Sequence, residues 1–490
     1  MKTIAALIAG AALLVWPALL NGYPLVFIDT VSYLNHTTLP EVPWDKTLAY
    51  GPFLHLFHWQ VSLWPAVAAQ GLIASHLVWL AQRMVRLEQT AAAHLLVCAA
   101  PAALTSAPWF LATLMPDALT ALAPLCLLLL AFGGLSRGEV AWVALVGALA
   151  VAVHLSHLPT ALAILGLVAL LARRAGPVLR AALPVVLALA FLLGSNAYAF
   201  GRVTLSPHGA VFLLARLQAD GPAVAVMRDR CPESGWHLCA FLDRMPLDSD
   251  DFLWRGSSPL NSYPDGSHRP MGGVVGAPEA REIVAATLRE RPLEVAAAML
   301  RNTLAQLLMP RVGDTLVDTY LSVSARRPIA AAFPARELAA FDAGAQMRGV
   351  LPARAAPFLL PHIPVLLLAA LAAPLLLWRV ARRRDLPRGA LLAGALLALL
   401  ANAAATGGLS KPHQRYEARI AWLLPLATML AALPRREAGL LRNRRQDGSG
   451  AVAVASTSAP MSGQAQRRSI TFWPKVSPTC SGPVMAPSRS

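Results

Sequence analysis

Asp29 heads the stretch Asp29-Thr30-Val31-Ser32-Tyr33, just after an uncharged apolar run over residues 3–20. A run of that length crosses a bilayer as a helix. An aspartate a few residues past its end sits where lipid meets water. There it stays ionised and suits proton abstraction from a hydroxyl of a molecule whose tail is still in the membrane. Three more groups of residues have comparable chemistry. Asp117 follows Pro116 at the start of another apolar run, and His154 and His157 are three positions apart, a spacing that shares one helical face. Lys411-Pro412-His413-Gln414-Arg415-Tyr416-Glu417 precedes the last apolar run. Arginine offers phosphate oxygens a planar fork and lysine offers a point charge.

Each of these residues has a plainer reading. Asp29 and Asp117 suit helix N-caps. Two histidines without an adjacent acid make a weak metal site, so hydrogen bonding to a substrate or within the core is preferred for His154 and His157. Lys411 and Arg415 read as flanking charges, but basic residues on the outer side run against the positive-inside bias, which points to an anionic partner.

Of the 490 residues, 56% are hydrophobic and only 14% are charged, against roughly 25% charged in soluble domains. This is a membrane-protein composition. The net charge of +16 would suit nucleic acid, but much of the Lys and Arg lies in short clusters beside apolar runs, so no nucleic-acid partner is expected. Five cysteines are too few for a disulfide scaffold, and Cys98 and Cys126 fall inside apolar runs as small core residues. Lys2 and the run after it resemble a signal peptide, but Ala18-Leu19-Leu20-Asn21 is a poor cleavage site, so the first helix is read as uncleaved.

These residues must be positioned by an all-α polytopic membrane protein with about ten transmembrane helices and an inserted extracytoplasmic domain. The N-terminal membrane region, 1–200, holds about seven spans: 3–20, 61–80, 91–105, 117–132, 140–153, 160–171 and 181–200. Its first outer loop, 21–60, includes an aromatic helix lying in the interface. The soluble insertion covers 201–355. About three spans follow in 356–434, near 358–378, 389–405 and 420–433. The basic tail, 435–490, is read as disordered. With the N-terminus inside, Arg83/Arg86, Arg137, Arg173/Arg174/Arg180, Arg379–Arg388 and Arg435/Arg436 all face the cytoplasm. The same threading puts Asp29, Asp117, His154/His157, the insertion and the Lys411–Glu417 stretch on the outer face. Cys231 and Cys239 then lie in an oxidising compartment and suit a structural disulfide, with metal binding alongside His237 the lesser reading. The helical stretches 278–289 and 293–309 read as packing elements or an interfacial lid, their apolar stripes as core.

The pattern resembles the multi-spanning, GT-C-type glycosyltransferases that use lipid-phosphate-linked sugars, a superfamily that includes mannosyl- and arabinosyltransferases. The matching motifs are Asp29-Thr30-Val31-Ser32-Tyr33 after the first span, Tyr50-Gly51-Pro52, Met115-Pro116-Asp117, and His413-Gln414-Arg415-Tyr416 before a Pro-containing last span. The resemblance covers the membrane part, about two-thirds of the chain. It implies that the first outer loop supplies the catalytic acid and the late loop binds the donor phosphate. Thr30 stands where that family often carries a second acid, and the soluble domain interrupts the membrane part instead of ending it. A divalent metal, magnesium or manganese, is left open.

The expected function is transfer of a sugar from a polyprenyl-phosphate donor to a glycan, lipid or protein acceptor on the outer face of a bacterial cytoplasmic membrane. The protein would be multi-pass, among membrane lipids, with both termini cytoplasmic. Asp29 is the expected general base. Arg415, with Lys411 or His413, holds the phosphate. Tyr33, Tyr50 and Tyr416 stack on or hydrogen-bond the sugar, and Asp117, His154 and His157 orient the acceptor. A transporter or lipid flippase, with ionisable residues near the midplane of two repeated halves, is the alternative. A non-catalytic envelope-assembly protein is the third reading.

Overall fold

The computed structural model describes residues 2–434 apart from positions 40 and 88, so the tail expected to be disordered, 435–490, lies outside the described residues. Among the described residues the chain is helical, without a strand. Two isolated bridges pair Leu25 with Thr113 and Ser262 with His268. Four helices are long and apolar enough to cross a membrane: Trp64–Met84, Ala175–Phe200, Leu351–Arg382 and Leu386–Gly408. The pair Gly209–Asp220 and Pro222–Arg230, bent by 92°, makes a fifth if taken as one broken span.

The other apolar helices, Lys2–Leu14, Ala91–Leu104, Pro116–Phe132 and His157–Leu171, have 10–17 residues, fewer than the roughly 20 that span hydrocarbon. Proline shortens some of them. The run 3–20 breaks at Val15, and Trp16–Asn21 restarts with Pro17 in its first turn, where the missing N–H is tolerated.

The buried apolar residues form two clusters. The larger unites the apolar helices with Leu316, Ile329, Phe341 and Leu351. The smaller lies wholly within 211–295 and includes Val211, Met227, Phe252 and Ile283. The stretch 201–355 is therefore divided, its first part around a core of its own and its later part within the main core. Buried Glu337 ties that later part down by accepting from the Tyr23 hydroxyl and the Leu63 N–H, both at 2.8 Å.

Two groups of polar residues lie far apart along the main bundle. At one end the Arg83 guanidinium makes two 2.7 Å bonds to Glu139, and Arg388 donates to the Val85 and Ala431 carbonyls at 3.3 Å. Gln70 lies thirteen residues back along the same helix as Arg83, about 20 Å away. It donates to the Leu111 and Thr113 carbonyls. At this second end the loop after Trp16–Asn21 is pinned to the segment before Asp117. Leu25 N–H donates to Ala112 O at 3.1 Å, Leu114 N–H to Leu25 O at 2.8 Å, and the Thr30 hydroxyl to Leu114 O at 3.0 Å. That pairing brings Asp29 beside Asp117.

Candidate functional site

Asp29 stands at the N-cap position of helix Thr30–Thr38, but its side chain makes no capping bond. Its carboxylate turns to two cations instead. Oδ1 lies 3.2 Å from Lys46 Nζ, and Oδ2 lies 3.3 Å from Arg415 Nη1. Lys46 also bonds Asp45 at 2.6 Å.

Arg415 and Arg419 are four residues apart in helix Gln414–Ala421, so they share a face, and both face Asp117. Arg419 Nη1 donates to Asp117 Oδ1 at 3.1 Å, and Arg415 Nε stands 4.0 Å from the same oxygen. The Tyr416 ring lies 5.0 Å from each guanidinium, and Phe27 lies 4.4 Å from that of Arg415, within cation–π range. The backbone N–H of Arg415 donates to Asp314 Oδ2 at 3.1 Å, while Asp314 Oδ1 is buried without a hydrogen-bond partner. Arg419 reaches further, to Ser156 Oγ at 2.8 Å and Asn402 Oδ1 at 3.3 Å. The result is an alternating row of charge: Lys46, Asp29, Arg415, Asp117, Arg419.

Exposure peaks at Asp29 and falls towards Arg419. The side chains of Arg419 and Asp117 are 0% and 2% exposed, Arg415 10%, Lys46 14% and Asp29 27%. Asp29 is therefore the carboxylate a bound molecule can reach. The Asp117–Arg419 pair forms a buried base under Arg415. Burial pushes the Asp29 carboxyl up, but the charges and hydrogen bonds of Lys46 and Arg415 outweigh it and hold the group below the usual carboxylate range. Next to it, burial pushes the Tyr33 hydroxyl up, with Lys46 pulling the other way, so Tyr33 remains a neutral hydroxyl.

The other expected site residues fall in different places. Tyr416 joins the row as the ring between the two arginines. His154 connects to it indirectly, 2.8 Å from Ser156 Oγ, which also accepts from Arg419. Both ring nitrogens of His157 are engaged by protein, Nδ1 with the Ala150 carbonyl at 2.6 Å and Nε2 with Thr120 Oγ1 at 2.8 Å. Tyr50 is fully buried, its hydroxyl bonded to Gln70 and its ring edge-on to Tyr33 at 5.0 Å. That makes it a core residue with no face for a sugar.

Lys411 and His413 do not join Arg415 in a phosphate grip, contrary to expectation. Lys411 Nζ lies 2.8 Å from both Asp248 and Asp250, and His413 Nε2 lies 3.4 Å from Asp250. The second cation at Asp29 is Lys46. Cys231 and Cys239 are joined in a disulfide, away from the charged row.

Lys46, Arg419 and Asp314 join the site without being among the residues expected from the sequence. Two signals point to them: Lys46 is a lysine on the loop that carries Asp29, and Arg419 is an arginine at the edge of an apolar run, a functional candidate by default.

Among the described residues no group of three or more His, Cys, Asp or Glu side chains is arranged to hold a metal ion. The acids of the row each face a cation, so the residues present do not fit a magnesium or manganese site, and no step is derived through one. A surface hollow of about 400 Å³, lined by Arg230, Trp236, Arg281 and Arg289 among others, includes none of the row's residues.

No protein-family model, no curated protein and no solved structure matches the chain. The resemblance to lipid-phosphate-dependent glycosyltransferases rests on the short motifs around Asp29, Tyr50, Asp117 and Arg415.

Proposed function

We propose that the chain is a membrane glycosyltransferase that moves a sugar from a polyprenyl-phosphate donor to an acceptor hydroxyl on the outer face of the cytoplasmic membrane. About ten membrane crossings, with the end bearing Arg83, Arg388 and Glu139 in the cytoplasm and the Asp29 end outside, belong to this proposal. The observation that carries it is the reachable carboxylate of Asp29 held between two cations, Lys46 and Arg415.

In the proposed reaction Asp29 takes the proton of the acceptor hydroxyl as its oxygen forms a bond to the anomeric carbon. The bond from that carbon to the phosphate oxygen breaks, and the lipid phosphate leaves with the electron pair. Arg415 and Lys46 stabilise that charge with donors already in place. The Asp117–Arg419 pair keeps the Arg415 fork oriented, and Tyr33 and Tyr416 contact the sugar. Lys46 takes the part expected of Lys411.

A carboxylate held below its usual range is ionised but weakly basic. An arriving phosphate competes with Asp29 for Lys46 and Arg415, and as those bonds transfer to phosphate the Asp29 carboxylate gains basicity. Donor binding thus primes the base.

Cell-envelope material from otherwise identical cells with and without the protein tests the reading. One sugar of a surface glycan is expected to fall sharply without it. Unchanged sugar composition counts against the proposal.

A further inference from the structure

Helix Pro292–Leu307 is built inside out. Its inward face begins apolar, with Val295 and Ala298 buried, and ends polar, with Asn302, Thr303 and Gln306 buried. Asn302 Nδ2 donates to Asp220 Oδ2 at 2.8 Å. Gln306 makes a paired bond with the backbone of His413, its Nε2 donating to the carbonyl at 2.8 Å and its Oε1 accepting the N–H at 2.9 Å. The outward face carries Leu293, Leu300 and Leu304, continued by Leu308 just past the helix end, exposed by 84%, 61%, 54% and 82%. At 3.6 residues per turn these four leucines fall within an arc of about 80°.

In water this arrangement is backwards. Each exposed leucine forgoes burial, while Asn302, Thr303 and Gln306 occupy the protected side. Against hydrocarbon the same arrangement is the favourable one, because the polar groups find partners inside and the leucines meet lipid.

We infer that the leucine face of Pro292–Leu307 lies against bilayer hydrocarbon, with the helix in the plane of the membrane, so that this part of the 201–355 stretch is an interfacial element. The inference rests on the membrane reading of the chain and is independent of any transferase activity. The position of the helix supports lipid as the occupant. It packs on Ala404–Gly408, the terminal π-turn of the membrane-length helix Leu386–Gly408. The approach there is close. A Cβ on Gly407 would lie 2.5 Å from the Asn302 carbonyl oxygen, so glycine is what admits the helix to that depth. Leu400 and Leu409, on and just beyond that helix, are also exposed, so a helix of membrane-crossing length and composition presents apolar side chains to its surroundings next to this one. Unlike the short apolar helices of the main bundle, Pro292–Leu307 is not apolar enough all round to count as a crossing segment. Glu294 and Arg301 flank the stripe, and Arg301 turns back to pair with Asp220 at 3.2 Å, as on helices that lie along the interface.

The Gln306–His413 bond gives the placement a consequence. It ties a lipid-seated helix to the segment that continues into Arg415, which fixes the height of that guanidinium relative to the membrane surface.

The test uses the full wild-type chain in liposomes, illuminated with a photoactivatable carbene reagent confined to the acyl-chain region, followed by peptide mapping. Label is expected at Leu293, Leu300, Leu304 and Leu308 and not at Asn302 or Gln306. Absence of label on the leucines overturns the inference. So does protection of the stripe that is relieved on diluting the protein into excess lipid, which would mean that a second copy covers it. Nitroxides at Leu300→Cys and Leu304→Cys give an independent reading. Oxygen accessibility should exceed that of a water-soluble nickel complex several-fold, and the opposite ratio overturns the inference. Neither measurement needs catalytic activity, so a failed transfer assay leaves the result intact.

Discussion

Arg415 Nη1 lies 3.3 Å from Asp29 Oδ2, a contact between residues 386 positions apart in the chain. The same guanidinium has its Nε 4.0 Å from Asp117 and its plane near Phe27 and Tyr416. One flat cation thus links the two acids while resting on two rings. A lysine cannot reproduce that geometry, because its charge is a single point without a fork or a stacking face. Arg415→Lys should therefore reduce sugar transfer nearly as far as Arg415→Ala. A loss on the order of 10²-fold in kcat is expected by analogy with removal of one charge-stabilising donor. Lys46→Met should cost less, since Arg415 remains. Steady-state rates of the three purified variants check the ordering, and a fully active Arg415→Lys would contradict it.

The Asp117–Arg419 pair is buried almost completely, at 2% and 0% side-chain exposure. Removing one partner leaves an uncompensated charge in the protein, at a cost of about 3–5 kcal/mol. Arg419→Met alone should lower the unfolding temperature in detergent markedly. The double variant Arg419→Met/Asp117→Asn should recover part of that loss, since no charge is then left unpaired. Thermal unfolding of the single and double variants measures this coupling, and additive losses would show that the two side chains act separately.

Trp44, two residues before Lys46, is held by the 211–295 core. Its ring meets Phe212, Trp254 and His208 at 5.8, 5.9 and 6.1 Å, and a side-chain carbon on Gly273 would overlap it. Gly273→Val should displace Trp44 and with it the loop carrying Lys46. A destabilisation of about 1–3 kcal/mol is expected for such overpacking. Tryptophan fluorescence and thermal unfolding check it, and a variant with unchanged values would mean that the ring has room to move.

Asp250 contributes a pH dependence of known sign. The hydrogen bond from His413 is the main cause holding its carboxyl down to about 2, with burial opposing and Lys411 assisting. A carboxyl lower in the folded than in the unfolded state stabilises fully above its unfolded value of about 3.9. That contribution is lost as pH falls through the folded value. Acidification from pH 4 to 2 should release the segment around His413 in the wild type. In Asp250→Asn the segment should be less protected than in the wild type already at pH 7, with the Gln306 and Asp248 bonds remaining. Amide hydrogen exchange at Lys411, His413 and Gln414 reports both, and equal protection in the two proteins at neutral pH would remove the assignment.

Much of this arrangement was legible in the sequence because a few residues announced themselves. A charge at the edge of an apolar run has few inexpensive places to go, which is why Asp29, Asp117 and Arg415 could be picked out and are found together. Lys411 showed the limit of that rule. Its partners, Asp248 and Asp250, lie more than 150 positions away in another part of the chain, and no local pattern records the encounter. Lys46 is the converse case, a residue of a polar loop with no local pattern to mark it, which only the fold brings against Asp29. Helix 292–307 makes a third case. Periodicity reveals that a leucine stripe exists, but the stripe's direction depends on which surface holds partners for Asn302 and Gln306. Helix lengths were the least legible feature, because a break such as that at Val15 turns one apolar run into two helices.

The most direct test of the central claim is the transfer of labelled sugar from a polyprenyl-phosphate-sugar extract by the purified protein in lipid, with wild type and Asp29→Asn side by side. The account predicts transfer by the wild type and a loss of about 10²–10⁴-fold in the variant, the range for removal of a general base, with the unfolding temperature preserved. Equal transfer by both proteins, or none by the wild type across a full panel of donor sugars and envelope acceptors, would contradict it.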